Sequence, residues 1–404
     1  MFCIVPPHLL EKMLESKDKS IRQAALRTLM LSSQLRGVRL ARSEASSSPS
    51  SGSARRTVFD ARRSQFLSDA VLARSEDGPP SNDESVNRLF DGLGSTRDFL
   101  EDVLKRNSLD DNGMRLDGYV HFGRDFNNAM FDGRVMLFGD GDGETFTDFT
   151  KSLDVIAHEL GHGITQFTAD LVYQDQPGAL NEHFSDVAGS MVKQWVNQES
   201  VDDADWLIGA DVWTPGVSGD ALRSMKEPGK AYVNHPIFGT DPQPAHMNQF
   251  FHGPGDNGGV HINSGIPNKA FYETAKRIGG FSWEISGQIW YEALKASTQK
   301  TEFQEFADRC FSVAEPFGSE AQRAVADGWN VVGIRITGVA AERSRIARKV
   351  KDTSLNDIMS ELARISARVD ALSKGKFEPL SRGKVVALSK VASAKDKNGA
   401  RDAR

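Results

Sequence analysis

Val155-Ile156-Ala157-His158-Glu159-Leu160-Gly161-His162-Gly163 is the stretch from which the rest of the chain can be read. Histidines four apart on an apolar helical run lie on one face, and both can turn a ring nitrogen to one metal ion. The glutamate after the first histidine then lies within reach of a water at that metal. Neutral imidazoles that leave a coordination position open are what a catalytic zinc needs. The same letters also describe an ordinary helix carrying two histidines, so other residues must decide.

A catalytic zinc takes a third protein ligand. Gly178-Ala179-Leu180-Asn181-Glu182-His183-Phe184-Ser185-Asp186 offers one: Glu182 lies 20 residues beyond His162, expected at the start of the next helix. Asp186, four further on the same face, can accept a hydrogen bond from the free ring nitrogen of a ligand histidine. Asp154 reads as a helix-start or structural carboxylate. Asp256-Asn257-Gly258-Gly259-Val260-His261-Ile262-Asn263-Ser264-Gly265 places a histidine between a glycine turn and a helix start, with Asp256 five residues earlier to hold its ring. Alone, His261 reads as an ordinary polar residue; beside a zinc hydrolase motif it reads as part of the site.

The 404 residues exceed one small core and predict two or three domains. With 39% hydrophobic and 26% charged residues the composition is that of a globular chain, and no run approaches the ~18 apolar residues of a membrane span. The start, Met1 to Leu10, lacks a basic head and an unbroken apolar run, which makes it a poor secretory leader. That predicts a cytoplasmic location, or export by another route. Cys3 and Cys310 are the only cysteines, so no disulfide framework is expected. The net charge of −6 hides an asymmetry: residues 341–404 hold 16 Lys+Arg against 8 Asp+Glu, leaving that stretch at +8 and the first 340 residues at −14. Ala and Ser dilute this basic tail and no aromatics interleave it. A solvated tail is expected in preference to a nucleic-acid or membrane arm.

Residues 1–42 predict a short helical unit, with Leu9, Leu10, Met13 and Leu14, then Ile21, Ala25, Leu26, Leu29 and Met30, at helical spacing. Ser43 to Ser53 reads as a linker, followed by Arg55-Arg56. Composition fits equally a detachable segment and a small tethered domain. Helices are predicted at 86–104, 180–196, 265–277, 283–297 and 301–314, and strands at 119–122 and 135–138. Gly139-Asp140-Gly141-Asp142-Gly143 is an acidic turn without helix-loop-helix calcium spacing. Strands before the motif and helices after it predict an α+β protein with a cleft between lobes. Leu355, Ile358, Leu362, Ile365, Val369 and Leu372 form a short heptad seam, open to self-association or to docking on the parent domain.

Together His158-Glu159-Leu160-Gly161-His162, Asn181-Glu182, the 256–265 run and Asp211 to Met225 resemble the thermolysin-like zinc metallopeptidases, over roughly residues 57 to 335. The resemblance implies a two-lobed fold: a β-rich N-terminal lobe at 56–165 carrying the zinc-motif helix at the cleft, a helical lobe at 166–337 and a C-terminal extension at 338–404. It implies one catalytic zinc on His158, His162 and Glu182, and Glu159 as general base. It makes Tyr173 and His261 the groups that stabilise the oxyanion, with Asp256 orienting His261. Asn128 and Ala129 would bind the substrate backbone, and Arg223 the carbonyl beyond the cleaved bond. Leu222, Phe149 and Val155, with Phe146, Ile208 and Val212, would form the pocket for an apolar side chain after that bond. Phe149 stands where leucine is usual, so a shift in preferred side-chain size is expected.

Secreted relatives bind two calcium ions beside the cleft; here the corresponding positions read Lys193, Leu207 and Ala210, with Asp154 and Asp205 remaining. An ion pair in place of that double site is expected, while Thr214 and Asp220 match a peripheral calcium site. Pro6-Pro7-His8-Leu9-Leu10 is similar to the short propeptides of protealysin-type members. This implies that residues 1–55 form a propeptide covering the cleft, removed by a cut within 51–56. A Cys3 thiolate blocking the zinc is a narrower version of the same idea. The expected function is a zinc endopeptidase acting on protein or peptide substrates on the amino side of apolar residues, made as an autoinhibited precursor. The competing reading is a metallopeptidase fold that works as a binding protein through its propeptide or tail.

Overall fold

A computed structural model describes residues 2–42 and 54–338. The expected heptad seam, the basic tail and the whole of the expected linker lie outside the described residues. The first half is a mixed sheet with helices against it: β1 (Phe2–Cys3), α1 (Pro7–Leu14), α2 (Lys19–Arg42), β2 (Arg56–Asp60), β3 (Val71–Ser75), α3 (Glu84–Asp102), β4 (Leu116–Val120), β5 (Ala129–Phe131) and β6 (Met136–Phe138). The strand order is β1-β5-β6-β4-β2-β3. β4 runs parallel to β2 and β6, while β1 is antiparallel to β5, with Cys3 opposite Met130. β4 follows period-two burial, with Leu116, Gly118 and Val120 inside. In α3 the Asp83 carboxylate caps the Ser85 amide at 2.9 Å, and Val86, Leu89, Phe90, Leu93 and Leu100 recur on its buried face.

The N-terminal helices differ in one respect from the predicted stripe. Leu9, Leu10, Met13 and Ala25 are buried, but Leu26 and Met30 are 50% and 65% exposed. The reason is rotational. α2 turns Ala25, Thr28 and Ser32 inward, and Thr28 Oγ1 accepts the Asn127 amide at 3.0 Å. Successive apolar letters therefore fall on opposite faces.

The second half is helical: α4 (Leu153–Gln166), α5 (Asp175–Asn197), a ribbon β7 (Leu207–Ile208) with β8 (Arg223–Ser224), then α6 (Gly255–Asn263), α7 (Gly265–Ile278), α8 (Ile285–Lys295), α9 (Phe303–Val313) and α10 (Ser319–Val331). No described helix is long and apolar enough to cross a membrane. α5 begins at Asp175, so Glu182 sits two turns inside it instead of at its start. Pro177 is harmless there, because first-turn amides need no helical partner. α10 was not foreseen. Its buried face is Ala321, Ala324, Val325, Gly328 and Trp329, too small-sided to give an apolar period. Trp329 stacks on Trp290 of α8 at 6.1 Å.

α4 and α5 cross closely, and glycines make the crossing. A Cβ on Gly161 would stand 2.8 Å from the Ser185 Cα, and one on Gly189 would stand 2.5 Å from the Asp154 carbonyl. Beside the crossing, Lys193 Nζ lies 3.2 Å from the buried Asp154 carboxylate, 2.9 Å from Asp205 and 3.3 Å from the Leu207 carbonyl. Burial opposes the charge on this lysine, but Asp154 and Asp205 outweigh it and hold its pKa well above the ordinary value. Asp154 is 1% exposed in its side chain and Asp205 46%. Lys193→Met is therefore expected to cost about 3–5 kcal/mol by stranding a buried charge, and Asp205→Asn only about 1 kcal/mol or less. Thermal or denaturant unfolding of both variants checks this; equal losses would contradict it.

Candidate active site

α4 presents His158 and His162 one turn apart and fully buried, and α5 brings Glu182 against them. One ligand atom from each of the three lies within 4.8 Å of the others. The ring Nε2 atoms are 3.0 Å apart, and each lies 3.5 Å from a Glu182 oxygen. The opposite ring nitrogens are occupied. His158 Nδ1 meets Asp186 at 2.8 Å, and His162 Nδ1 meets Asn181 Oδ1 at 2.8 Å and Ser185 Oγ at 2.9 Å. With carboxylate and amide oxygens accepting at Nδ1, the Nε2 lone pairs face one another and a carboxylate. Such a donor set repels itself unless a cation lies between, and two nitrogens and a carboxylate suit zinc. Glu182 Oε2 is buried without a hydrogen-bond partner, as that arrangement requires.

Glu159, next to His158, is fully buried, and burial above all, with neighbouring negative charge including Glu182, pushes its carboxyl well above the ordinary range. Asp186 behaves oppositely. Burial would raise it, but the Arg223 charge and hydrogen bonds from Arg223 and His158 hold it far below the usual carboxylate range. Arg223 reaches the site on β8, paired to Ile208 of β7. Its Nε donates to Asp186 Oδ2 at 2.9 Å and its Nη2 to Asp186 Oδ1 at 2.8 Å, a two-pronged buried pair.

His261 enters on α6 after an unusual turn. Asp256, Asn257, Gly258 and Gly259 all have positive φ, from 49° to 80°. The two non-glycine residues there carry a cost of order 1–2 kcal/mol each. What the turn achieves is local: Asp256 folds back, accepting from the His261 backbone amide at 2.8 Å and from its Nδ1 at 2.6 Å. Burial would lower the His261 pKa, but Asp256 and then Glu182 lift it well above the ordinary value. Its Nε2 therefore faces the ligand cluster as a donor, 3.5 Å from Glu182. The Tyr173 hydroxyl lies 3.3 Å from the same nitrogen and donates to Glu182.

The N-terminal strand occupies the remaining side. Cys3 O accepts from His261 Nε2 at 2.9 Å, Ile4 N donates to Ala129 O at 3.2 Å, and Ile4 O accepts from Arg223 Nη1 at 2.8 Å. Asn128 brackets Val5, with Oδ1 accepting its amide at 2.9 Å and Nδ2 donating to its carbonyl at 3.3 Å. Ile4 and Val5 are fully buried in the apolar cluster that holds Phe149, Val155, Leu222 and Ile208. Phe149 packs against Phe146 at 5.7 Å between ring centroids. Cys3 meets His261 through its carbonyl, and its side chain also lies near enough to act electrostatically on His261, Glu159 and Tyr173. Its thiol is buried with Met130 and Leu137, 3.6 Å from the Val5 carbonyl.

Five residues of this arrangement went unforeseen. Asn181 and Ser185 hold His162, and their only signal was the i and i+4 positions about Glu182. Asn268 donates to Asp186 Oδ2 at 2.9 Å and accepts from His183 Nδ1 at 2.7 Å, while His183 Nε2 accepts from Trp290 at 2.8 Å. His183, beside Glu182 in sequence, points away from the ligand cluster, and burial lowers its pKa to about 4. These contacts join α5, α7 and α8, and no local spacing announces them.

Two family descriptions match the chain: "Thermolysin metallopeptidase, catalytic domain" over residues 44–166 and "Thermolysin metallopeptidase, alpha-helical domain" over residues 169–334. An extracellular metalloprotease of Pectobacterium carotovorum subsp. carotovorum is 43% identical over 336 residues, covering 82% of this chain and 96% of the relative. Protease PrtS of Photorhabdus sp. (strain Az29) is 40% identical, covering 82% and 92%. Among solved structures, the precursor of protealysin, a metalloproteinase from Serratia proteamaculans, matches with a TM-score of 0.76 at 41% identity, covering 83% of this chain and 100% of that one.

His8, at the start of α1, gives the docked segment a pH dependence. It lies 3.5 Å from the Tyr232 hydroxyl, and burial lowers its pKa to about 4; Asp256 opposes this, while His261 and Arg223 reinforce it. A histidine whose pKa is lower when docked stabilises docking fully above its ordinary value of 6.5. It loses that contribution as pH falls through the interval toward about 4. Docking is expected to weaken by up to roughly tenfold per pH unit there. Hydrogen exchange at the Ile4 and Val5 amides of a Glu159→Ala chain, corrected for intrinsic rates, measures this. His8→Asn should flatten the profile between pH 4 and 6.5.

Proposed function

The chain belongs to the thermolysin metallopeptidase family, a family of zinc-dependent metalloendopeptidases, and we propose that it cleaves peptide bonds on the amino side of apolar residues and is made as a precursor held latent by residues 1–55. The observation that carries this reading is the meeting of His158, His162 and Glu182, each imidazole fixed from behind by an acceptor. Zinc, held there, would polarise the scissile carbonyl and lower the pKa of the attacking water. Glu159 would take a proton from that water and pass it to the departing amine. His261, held by Asp256, and Tyr173 would donate to the oxygen on which charge develops. Ala129 and Asn128 would align the peptide as a further strand on β5, and Arg223 would hold the carbonyl one residue past the cut.

The pocket of Phe149, Val155 and Leu222 would take the apolar side chain, narrowed by the Phe149 ring. For the flanking acids, the Lys193 ion pairs support a structural cation supplied by the protein itself at that place. A relative described as extracellular supports a secreted location over a cytoplasmic one. The binding-protein alternative draws no support from the site, where every catalytic role has a candidate.

After removal of residues 1–55, casein cleavage should be abolished by a zinc chelator and restored by added zinc. Glu159→Ala should lower the rate at least ~10²–10⁴-fold, the usual contribution of a general base. Chelator-insensitive or absent cleavage would overturn the reading. Phe149→Leu should widen acceptance of bulky residues after the cut, read by peptide-library profiling; an unchanged profile removes Phe149 from that pocket.

A further inference from the structure

The N-terminal segment does more than cover the cleft: it lies there with one particular bond at the reacting position. Five backbone groups define the alignment in order. The Cys3 carbonyl meets His261 Nε2, the Ile4 amide meets Ala129 O, the Ile4 carbonyl meets Arg223, and both backbone groups of Val5 meet the Asn128 side chain. Upstream, Phe2 and Cys3 stand opposite Phe131 and Met130 in antiparallel register. Of these carbonyls, Cys3's receives the donor that points at the ligand cluster. Its carbon is therefore the electrophile and the Ile4 nitrogen the leaving group. The Ile4 side chain on the amine side is fully buried among apolar residues.

From this alignment we infer that the Cys3–Ile4 bond is itself a substrate, cut in cis once the precursor holds zinc. The inference rests on the metalloendopeptidase reading above. The step is a hydrolysis: water adds to the Cys3 carbonyl carbon and the C–N bond breaks. A Cys3 carboxylate and an Ile4 ammonium result, with the water's protons passing by way of Glu159 to the departing nitrogen and no redox change. The new chain end stays where it was. Ile4 and Val5 keep Arg223, Ala129 and Asn128, and α1 and α2 still tether them, whereas the departing fragment keeps only its short pairing to β5. This cut trims the segment without releasing it, and the trimmed precursor remains latent. It is separate from the removal of residues 1–55.

The test takes the full-length chain free of metal, adds zinc and follows intact masses at two protein concentrations. The expected result is a chain, or a released N-terminal segment, that begins at Ile4. It forms at a rate independent of protein concentration, is absent with Glu159→Ala, and brings no rise in casein cleavage by itself. A zinc-loaded protein that goes on to cut casein while its N-terminal segment keeps Cys3 joined to Ile4 overturns this inference and leaves the endopeptidase reading standing. A chain that does not cut itself, and that cuts no casein even after residues 1–55 are removed, overturns both. A second measurement needs no turnover: in metal-free Glu159→Ala protein the Ile4 and Val5 amides should be protected from hydrogen exchange, and Asn128→Ala should release Val5. Unprotected amides there would overturn the alignment.

Discussion

The buried pair of Asp186 and Arg223 holds the site's two tasks in one geometry. Taking either charge out of water alone is costly. Here the guanidinium grips the carboxylate through two nitrogens, and Asn268 satisfies a further lone pair. The carboxylate thus stays ionised and accepts the His158 Nδ1 proton, which leaves Nε2 for a metal. The remaining guanidinium nitrogen donates to a peptide carbonyl. In the proposed enzyme, ligand orientation and substrate recognition would therefore share one ion pair. Lysine in place of arginine would keep the charge and lose the fork that serves both.

The N-terminal segment meets the catalytic groups through its backbone. Five such hydrogen bonds, at about 1 kcal/mol each, would leave a free peptide of this length a weak ligand. The difference lies in attachment. Buried Leu9, Leu10 and Met13 in α1, with Ala24, Ala25 and Thr28 in α2, fix the strand beside β5 and make its binding intramolecular. In the proposed precursor the inhibitor would then be an ordinary peptide in chemistry, and latency would depend on the tether.

Much of the site was legible because its residues fall at helical spacing or in a marked turn. His158, Glu159 and His162 share α4, Glu182 and Asp186 share one face of α5, and glycines announce the bend before His261. The resemblance supplied what spacing cannot: that Tyr173, Arg223 and Asn128, from three separate segments, converge. What stayed hidden has a common cause. Asn268, His183 and Trp290 matter only through contacts between helices far apart in sequence, and their letters are those of any buried polar network. α10 was missed because alanine and glycine line its packed face, and α2 was partly misread because a 3.6-residue period splits adjacent apolar letters between faces.

The closeness of α4 and α5 explains why the chain needs a fixed positive charge outside the catalytic cluster. Gly161 and Gly189 let the two backbones approach until His158, His162 and Glu182 face one another. That approach buries the Asp154 carboxylate at the start of α4, where Ser152 and the Gly209 amide offer hydrogen bonds but no charge. An unpaired carboxylate there would oppose the crossing itself. Lys193, one helical turn beyond Gly189 on α5, brings an ammonium carried by the crossing helix and shares it with Asp205. The cation that closes the crossing is thus covalently part of the fold, whereas the zinc of the proposed chemistry would be a bound ion. Chelation can remove the second without touching the first, so loss of zinc should silence the enzyme and leave the helix pair that presents its ligands assembled.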